Sequence, residues 1–412
     1  MTTRINPFTP NNPVPTGLFA GRYDELVQLE KGLFQTKNNR PMHFLITGER
    51  GIGKSSLFMF LKHISTGGVE GAKYGSFNFV TLNFVLSDRM TLETLVRLIE
   101  RQLSRELSKI ESVKSFFKDA WAFVQRIKVM DSGIDRVETN DTEDMLIDEL
   151  AYSPAETCNR LLEKGTDKDG ILFLIDEADN AHQDLRIGYL LKTLTELIQQ
   201  NGCHRIMFAV AGLPDVVTKL KDSHESSIRI FQPMKIKELH VEDREWVVKR
   251  GIEEGNKINK EEISISDEAL NTISVLSEGY PHFIQQFAFS AYETNEDLEI
   301  NREDVLEGAF QKGGAIDSIG TKYYENNYFD KIKSDEYRLV LSIMAENLNE
   351  WVKKSEIRDK FPGDENTLNN ALSALVTRKI ILRNSSRRGE YRLQQRGFAL
   401  WIKMFGERKK NR

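Results

Sequence analysis

The 412-residue chain has little cysteine, no long hydrophobic run and no signal-like start. Its two cysteines, Cys158 and Cys203, lack the spacing of a metal site or a redox motif, which predicts packing roles in a reducing compartment. No apolar stretch approaches the roughly 20 residues that cross a bilayer, and residues 1–7 contain no apolar signal core. The seven histidines form no ligand cluster. These absences predict a cytoplasmic protein with no membrane partner.

Charge is distributed unevenly along the chain, whose formal net charge is -5. From Glu350 to the end there are 16 Lys and Arg against 7 Asp and Glu, a net of +9, which leaves -14 for the rest. A basic end on an acidic body is typical of a segment that binds a polyanion, and it is also typical of a solvated basic surface. Both interpretations stay open at this stage.

Residues 48–55 match the phosphate-loop pattern G-x-x-x-x-G-K-[ST], after an apolar run at 42–47 that predicts a buried strand and before a predicted helix. Glycines let the backbone N-H groups point at an anion, and the helix N-terminus adds its dipole. Lys54 would reach the outer phosphates and Ser55 would ligate magnesium. The residues predicted to bind nucleotide here are Gly48, Glu49, Arg50, Gly51, Ile52, Gly53, Lys54, Ser55 and Ser56.

Two adjacent carboxylates, Asp176 and Glu177, follow the apolar run 171–175. Asp176 at the end of a strand can hold magnesium through water, and Glu177 can orient and deprotonate an attacking water. A solvated strand end or a helix cap is the alternative, which a phosphate loop upstream makes less favourable. The sequence therefore predicts ATP and Mg²⁺ as ligands, with Lys54 and Glu177 as catalytic residues.

The fold class predicted is α/β: a P-loop NTPase core with a parallel sheet, then an α-helical lid and a winged helix. Almost wholly apolar strands that alternate with helices indicate a parallel sheet covered on both faces. The predicted domains are an extended arm (1–17), the ATPase core (18–240), the lid (241–315) and the winged helix (323–412). Individual elements predicted in the core include a strand at 79–84, one helix over 91–124, an irregular or hairpin segment at 127–140, and strands at 205–211 and 234–239. After His240 the pattern predicts only helices until the winged helix.

Three helices at 334–346, 354–361 and 365–379, followed by strands at 380–383 and 390–393, indicate a winged helix whose third helix could enter a major groove. Asn can read adenine, and Arg can bind phosphate or guanine. The candidate DNA-binding residues are Asn366, Thr367, Asn369, Asn370 and Ser373 in the helix, with Arg387, Arg388 and Arg392 in the wing. A winged helix that serves as a protein-binding or autoinhibitory module is the alternative.

These motifs together, with the box Phe19-Ala-Gly21-Arg22-x-x-Glu25-Leu26, resemble the AAA+ ATPases of the archaeal origin-recognition type and their bacterial relatives. They also resemble the allied signal-transduction ATPases with numerous domains. The resemblance covers nearly the whole chain. It implies that Phe19, Gly21 and Arg22 lie near the adenine base.

The resemblance also places Arg229 where such proteins have an arginine finger that reaches a neighbouring subunit's nucleotide. A surface arginine at the start of a strand is the alternative. Two departures concern the terminal phosphate. The chain has Ala211-Gly-Leu after its fourth strand where the family often has a polar sensor, and Pro281-His282 in the lid where many members have an Arg. Because neutral His is a weaker phosphate ligand than Arg, the departures predict slow hydrolysis.

The function predicted is an ATP-driven switch of low turnover, whose nucleotide state sets homo-oligomerisation and the binding of duplex DNA. The alternative is a signalling or defence ATPase whose winged helix binds a protein partner. Residues 176–179 read Asp-Glu-Ala-Asp, as in a large helicase family, but residues 240–412 offer no second RecA-like domain. A nucleotide kinase is disfavoured because no second phosphate-acceptor site is evident.

Overall fold

The computed structural model describes residues 4–12, 19–108, 110, 116–117, 120–124, 140–259, 261–348, 351–378, 380–384 and 387–406, with side chains omitted at 140–142, 327 and 331. The chain divides into two compact units. The core unit is residues 15–237, and the end unit combines residues 1–14 with residues 238–412. The predicted lid and winged helix therefore belong to one unit, together with residues 1–14 of the predicted arm.

The core unit is a parallel sheet with helices. Its strands are β1 His43–Thr47, β2 Phe79–Val85, β3 Gly170–Asp176, β4 Ile206–Gly212 and β5 Phe231–Lys235. Its helices are α1 Tyr23–Lys37, α2 Lys54–Ser65, α3 Leu92–Leu107, α4 Asn140–Glu163, α5 Ile187–Gln200 and α6 Val216–Ser223. The strand order is β2-β3-β4-β1-β5 with every pair parallel. Every residue of β3 and β4 is buried, so both sheet faces are covered, which confirms the predicted α/β class.

Two predicted elements of the core unit are wrong in their bounds. The strand expected at 234–239 is β5, which starts at Phe231 and contains Pro233. Proline is tolerated because β5 is an edge strand, where one side of the backbone needs no ladder donor. The helix expected over 91–124 ends at Leu107. The prediction was too long because apolar residues continue at helical spacing beyond that residue. The segment expected at 127–140 lies outside the described residues as far as 139, and α4 begins at Asn140.

The lid part of the end unit contains α7 Val241–Ile258, α8 Asp267–Ser277, α9 Pro281–Thr294, α10 Arg302–Phe310 and α11 Ala315–Tyr323. The expectation of helices alone is wrong, because β6 Ser264–Ile265 pairs in parallel with β7 Glu299–Ile300. Strands of two residues are too short to give a periodic pattern. Capping follows the sequence signals: the Ser266 hydroxyl accepts from the backbone N-H of Ala269, 3.2 Å away, at the start of α8.

The winged helix contains α12 Asp335–Ala345, α13 Lys354–Lys360, α14 Glu365–Thr377 and α15 Arg396–Phe405, with β8 Val352–Lys353, β9 Ile381–Arg383 and β10 Glu390–Leu393. The hairpin expected from the sequence is β9 and β10, and the antiparallel sheet order is β8-β10-β9. Sequence reasoning missed β8 and α15. Trp401 of α15 is fully buried in a cluster of aromatic rings with Tyr324, Tyr328 and Phe398.

No helix among the described residues combines the length and apolar character needed to cross a membrane.

Candidate nucleotide site

The loop between β1 and α2 has the backbone that an anion-binding loop requires. Gly51 and Gly53 have positive φ angles of 80° and 100°, a region that favours glycine. A Cβ on Gly48 would lie 2.8 Å from Cγ2 of Ile52, so a side chain there would collide with the loop itself. Glycine is therefore required at positions 51 and 53 by the backbone conformation, and at position 48 by the close approach of the Ile52 side chain.

Lys54 is the first residue of α2, and its ammonium folds back over the loop. Its Nζ donates to the carbonyl oxygens of Gly48 and Glu49, at 2.8 and 3.0 Å. Burial lowers the pKa of Lys54, and the nearby carboxylates, led by Asp176, oppose that change. A cation held by neutral carbonyls in a partly buried loop can exchange these acceptors for phosphate oxygens.

Ser55 and Asp176 come together from elements 121 positions apart, with the Ser55 hydroxyl donating to Oδ2 of Asp176 at 2.6 Å. Asp176 is 6% exposed at the end of β3, and its Oδ1 accepts from the backbone N-H of Glu177 at 2.8 Å. A hydroxyl and a carboxylate are the oxygen ligands that Mg²⁺ prefers. The donor set therefore fits the magnesium predicted from the sequence.

Glu177 is exposed and has a φ of 52°, in the left-handed region that residues other than glycine seldom adopt. Its Oε2 accepts from Nδ2 of Asn180 at 2.9 Å. Asp179 has a structural contact, because its Oδ1 accepts from the backbone N-H of Leu213 at 2.8 Å and so joins the ends of β3 and β4. Asn180 and Asp179 were missed as site residues, and their spacing from Glu177 was the only available signal.

The box before α1 supports the loop. Arg22 is 6% exposed, and its Nη2 donates to the carbonyl of Ile52 at 3.1 Å, while its Nη1 lies 3.7 Å from Oε1 of Glu25. Gly21 has a φ of 66°. Phe19 stacks on Phe60 with ring centroids 4.9 Å apart. Of the other loop residues, Arg50 is exposed and Ser56 is half-buried.

Two solved structures share this fold over nearly the whole chain at low sequence identity. The ORC2 protein of Aeropyrum pernix, in its ADPNP-ADP complexes, aligns over 98% of both chains at 13% identity with a TM-score of 0.57. Its ADP form aligns over 98% of this chain and 97% of that chain at 13% identity, with a TM-score of 0.51. The chain has the fold of an archaeal origin-recognition protein. No family model matches the chain, and no curated protein matches its sequence. The resemblance expected from the sequence is thus confirmed at the level of fold.

Within this origin-recognition fold, the remaining predicted nucleotide residues lie away from the loop in sequence. Arg229 is exposed on a short 3₁₀ helix, Glu225–Ile230, that leads into edge strand β5. Pro281 is the first residue of α9 in the end unit, and the His282 ring lies 5.1 Å from that of Tyr323, between centroids. Their roles toward nucleotide stay predictions.

The predicted DNA residues divide into two groups. Those with exposed side chains are Asn366, Asn369, Asn370, Ser373, Arg387 and Arg388. Thr367 is half-buried, and its backbone N-H is capped by Asp364 at 2.7 Å. Arg392 is also half-buried, and its guanidinium lies 5.0 Å from the Trp351 ring centroid, a cation-π contact.

Proposed function

We propose that the chain binds ATP with Mg²⁺ at the loop 48–55 and hydrolyses it slowly. The Ser55 hydroxyl and the Asp176 carboxylate, 2.6 Å apart, carry this proposal, because a phosphate loop and an acidic strand end are useful together only around a cation. Ser55 and Asp176 would hold the metal, which neutralises phosphate charge when bound. Gly48 to Gly53 would direct their N-H groups at the phosphates, and Phe19, Gly21, Arg22 and Ser56 would line the site.

Glu177 is the proposed general base, which takes the proton of the attacking water. Lys54 and, from a neighbouring copy, Arg229 would stabilise the charge that develops on the transferred phosphoryl group. Two features support low turnover. Asn180 already donates to Oε2 of the Glu177 carboxylate, which leaves fewer lone pairs on that oxygen for a water proton. In addition, Ala211-Gly-Leu offers no polar side chain to a terminal phosphate, and His282, unlike Arg, carries no permanent charge.

Calorimetric titration with ATP and Mg²⁺ tests the binding step. Lys54→Ala should weaken ATP binding roughly ten- to hundredfold, because a charge-assisted contact to phosphate is lost. Lys62→Ala, on the same helix but eight residues farther on, is the matched control and should bind as the parent does. Equal affinity in the parent and in Lys54→Ala would refute the site. A steady-state turnover well above about ten per second would refute slow hydrolysis.

We also propose that the nucleotide state controls self-association and the binding of duplex DNA through the winged helix. The exposed asparagines of α14 and the exposed Arg387 and Arg388 support DNA binding. A contact within the end unit supports the transfer of a nucleotide-dependent change from the lid to the winged helix. The Glu278 carboxylate, four residues before His282, accepts from the backbone N-H groups of Arg396 and Gly397 at the start of α15. The lid turn is thereby joined to the winged helix.

Duplex DNA binding should weaken steeply with salt, as the release of counterions requires. The double change Arg387→Glu and Arg388→Glu should abolish it. The matched control is Lys249→Glu with Lys312→Glu, which makes the same charge change at exposed positions of the lid. Light-scattering mass with ATP, for the parent and Glu177→Gln, reports assembly in the same samples. DNA binding that survives in the wing variant but not in the control would move the interface to the lid.

A protein-binding winged helix is the second candidate. Some of its basic groups are already paired, since Lys354 and Arg358 contact the Glu365 carboxylate and Arg392 lies over Trp351. Trp351 is 39% exposed and offers an apolar contact. If duplex DNA does not bind in a salt-dependent way and the chain captures a protein partner when ATP is present, this candidate is supported. If neither DNA binding nor capture is observed, it is excluded.

A further inference from the structure

The N-terminal arm occupies a groove on the lid rather than extending from the molecule. Described residues 4–9 have no helix or strand of their own, and they contact α7 and α9, more than 240 positions away. Among the described residues, no backbone-to-backbone hydrogen bond joins this arm to the lid, because the polar contacts use side chains. Side chains of the lid therefore hold both backbone atoms and side chains of the arm, and the arm is not part of a ladder.

Two glycines on α7 form the apolar half of the groove. A Cβ on Gly251 would lie 2.4 Å from Cε1 of Phe8, and a Cβ on Gly255 would lie 2.9 Å from Cγ of Pro7. The two glycines are one helical turn apart and leave a flat strip that a larger residue would close. Phe8 is 1% exposed, and its ring meets the edge of Tyr292 at 6.4 Å between centroids.

The polar half reads the arm residue by residue. Asn259 brackets Ile5, whose N-H donates to Oδ1 at 2.8 Å and whose carbonyl accepts from Nδ2 at 2.9 Å. Arg4 donates to the Asp297 carbonyl at 3.0 Å. Asn6 Nδ2 donates to the Phe289 carbonyl at 3.1 Å and to Glu293 Oε1 at 2.8 Å, and Thr9 N-H donates to Gln285 Oε1 at 3.1 Å.

We infer that this groove is a peptide-binding site for an extended segment with Arg, Asn, Pro and Phe at the spacing of Arg4-x-Asn6-Pro7-Phe8, and that the chain's own arm occupies it as an intramolecular ligand that such a segment can displace. The arm lines an open cavity of about 670 Å³, so it is accessible to a competing segment. Because the arm belongs to the same chain, it competes with a free peptide at a high effective concentration. The inference does not depend on nucleotide binding.

Fluorescence anisotropy with a labelled peptide of residues 1–12 tests the groove. A chain that lacks residues 2–12 should bind this peptide saturably, at least tenfold more tightly than the intact chain, where the cis arm competes. A Phe8→Ala peptide should bind at least tenfold more weakly. Gly251→Ala with Gly255→Ala, made in the shortened chain, should raise its melting temperature, because alanine favours helix, yet abolish peptide binding. This opposite pair of effects separates a filled groove from a misfolded lid.

A shortened chain with normal circular dichroism that fails to bind the peptide would overturn the inference, as would equal binding by the intact chain. If the shortened chain does not fold, full-length Phe8→Ala replaces it, since its own arm is weakened while the lid sequence is unchanged. It should take up the wild-type peptide at least tenfold more tightly than the parent. Identical binding by the two full-length chains would also overturn the inference.

Discussion

The core unit and the end unit obtain their structure in different ways. The core unit is one continuous stretch, 15–237, and its candidate site comes from residues that follow two strands, β1 and β3, of a parallel sheet. The end unit joins residues 1–14 to residues 238–412 and depends on contacts between distant segments. The difference teaches that a site made of local motifs can be read from sequence, whereas the contacts that join both chain ends into one unit cannot.

The buried residues of the core unit and of the end unit also differ in kind. The core unit buries almost uniformly apolar strands, with His43 as a buried polar exception on β1. The end unit is closed by Trp401 of α15, which lies so near Gly320 that a Cβ there would be 1.9 Å from the indole. One substitution in each unit can separate function from folding, and the predictions below are given in order of expected effect.

Glu177→Gln should show that the core site can lose its chemistry without losing its fold. We expect hydrolysis to fall roughly 10²- to 10⁴-fold, the usual contribution of a general base, with ATP affinity almost unchanged. Phosphate release and calorimetry measure the two quantities. Asp184→Asn, a nearby exposed carboxylate, is the control and should retain activity. Parental hydrolysis by Glu177→Gln would assign the base to another residue.

Trp401→Ala should lower the stability of the end unit without changing nucleotide binding in the core unit. Loss of a fully buried indole should lower the free energy of unfolding by about 3–5 kcal/mol, while ATP affinity at the core unit is retained. Urea denaturation followed by circular dichroism measures the change. Trp246→Ala removes an indole that is 44% exposed and should change stability by no more than about 0.5 kcal/mol. Similar losses in both variants would contradict the assigned role of α15.

His43 should make the core unit sensitive to acid. Burial lowers the pKa of His43 from 6.5 to about 4, and its Nδ1 accepts from the backbone N-H of Phe208 at 3.0 Å. Between these values the unfolded chain binds the proton that the folded chain does not. Stability from this group is therefore complete above pH 6.5 and is lost as the pH falls toward 4, by up to roughly 3 kcal/mol.

Urea denaturation at several pH values between 4 and 7 measures this dependence. His43→Leu should be less stable at pH 7, because Phe208 loses its acceptor, but it should lose less stability on acidification. His63→Leu, at an exposed position of α2, is the control and should follow the parent. An unchanged slope in His43→Leu would mean that other groups cause the acid sensitivity.

Glu278 should give the smallest effect, confined to the lid and winged helix. Glu278→Ala removes the acceptor at the start of α15 and should lower the end unit's stability by about 1 kcal/mol, as loss of a helix cap does. Glu278→Gln keeps an acceptor and should restore most of it. Burial raises the pKa of Glu278, so the parent should lose stability as the pH rises above 4.5, and Glu278→Gln should not. Glu268→Ala, an exposed acid on α8, is the control.

Sequence reasoning predicted the parts of the fold with strong local signals. It placed the phosphate loop, the strand that ends at Asp176, the main lid helices and the β9–β10 hairpin. It failed where a local signal was weak or misleading: Pro233 inside β5, the end of α3 at Leu107, and the two-residue strands. The last helix, α15, was missed although Trp401 closes the end unit.

The sequence by itself determined the chemistry available to this protein: a phosphate loop, a hydroxyl and carboxylate suited to magnesium, and a basic C-terminal segment. These follow from residue type and short spacing, which a linear chain displays directly. Tertiary structure alone decided that Ser55 lies 2.6 Å from Asp176 and that the arm lies against Gly251. Such contacts join residues whose distance in space depends on the packing of the whole unit, and no local pattern records it.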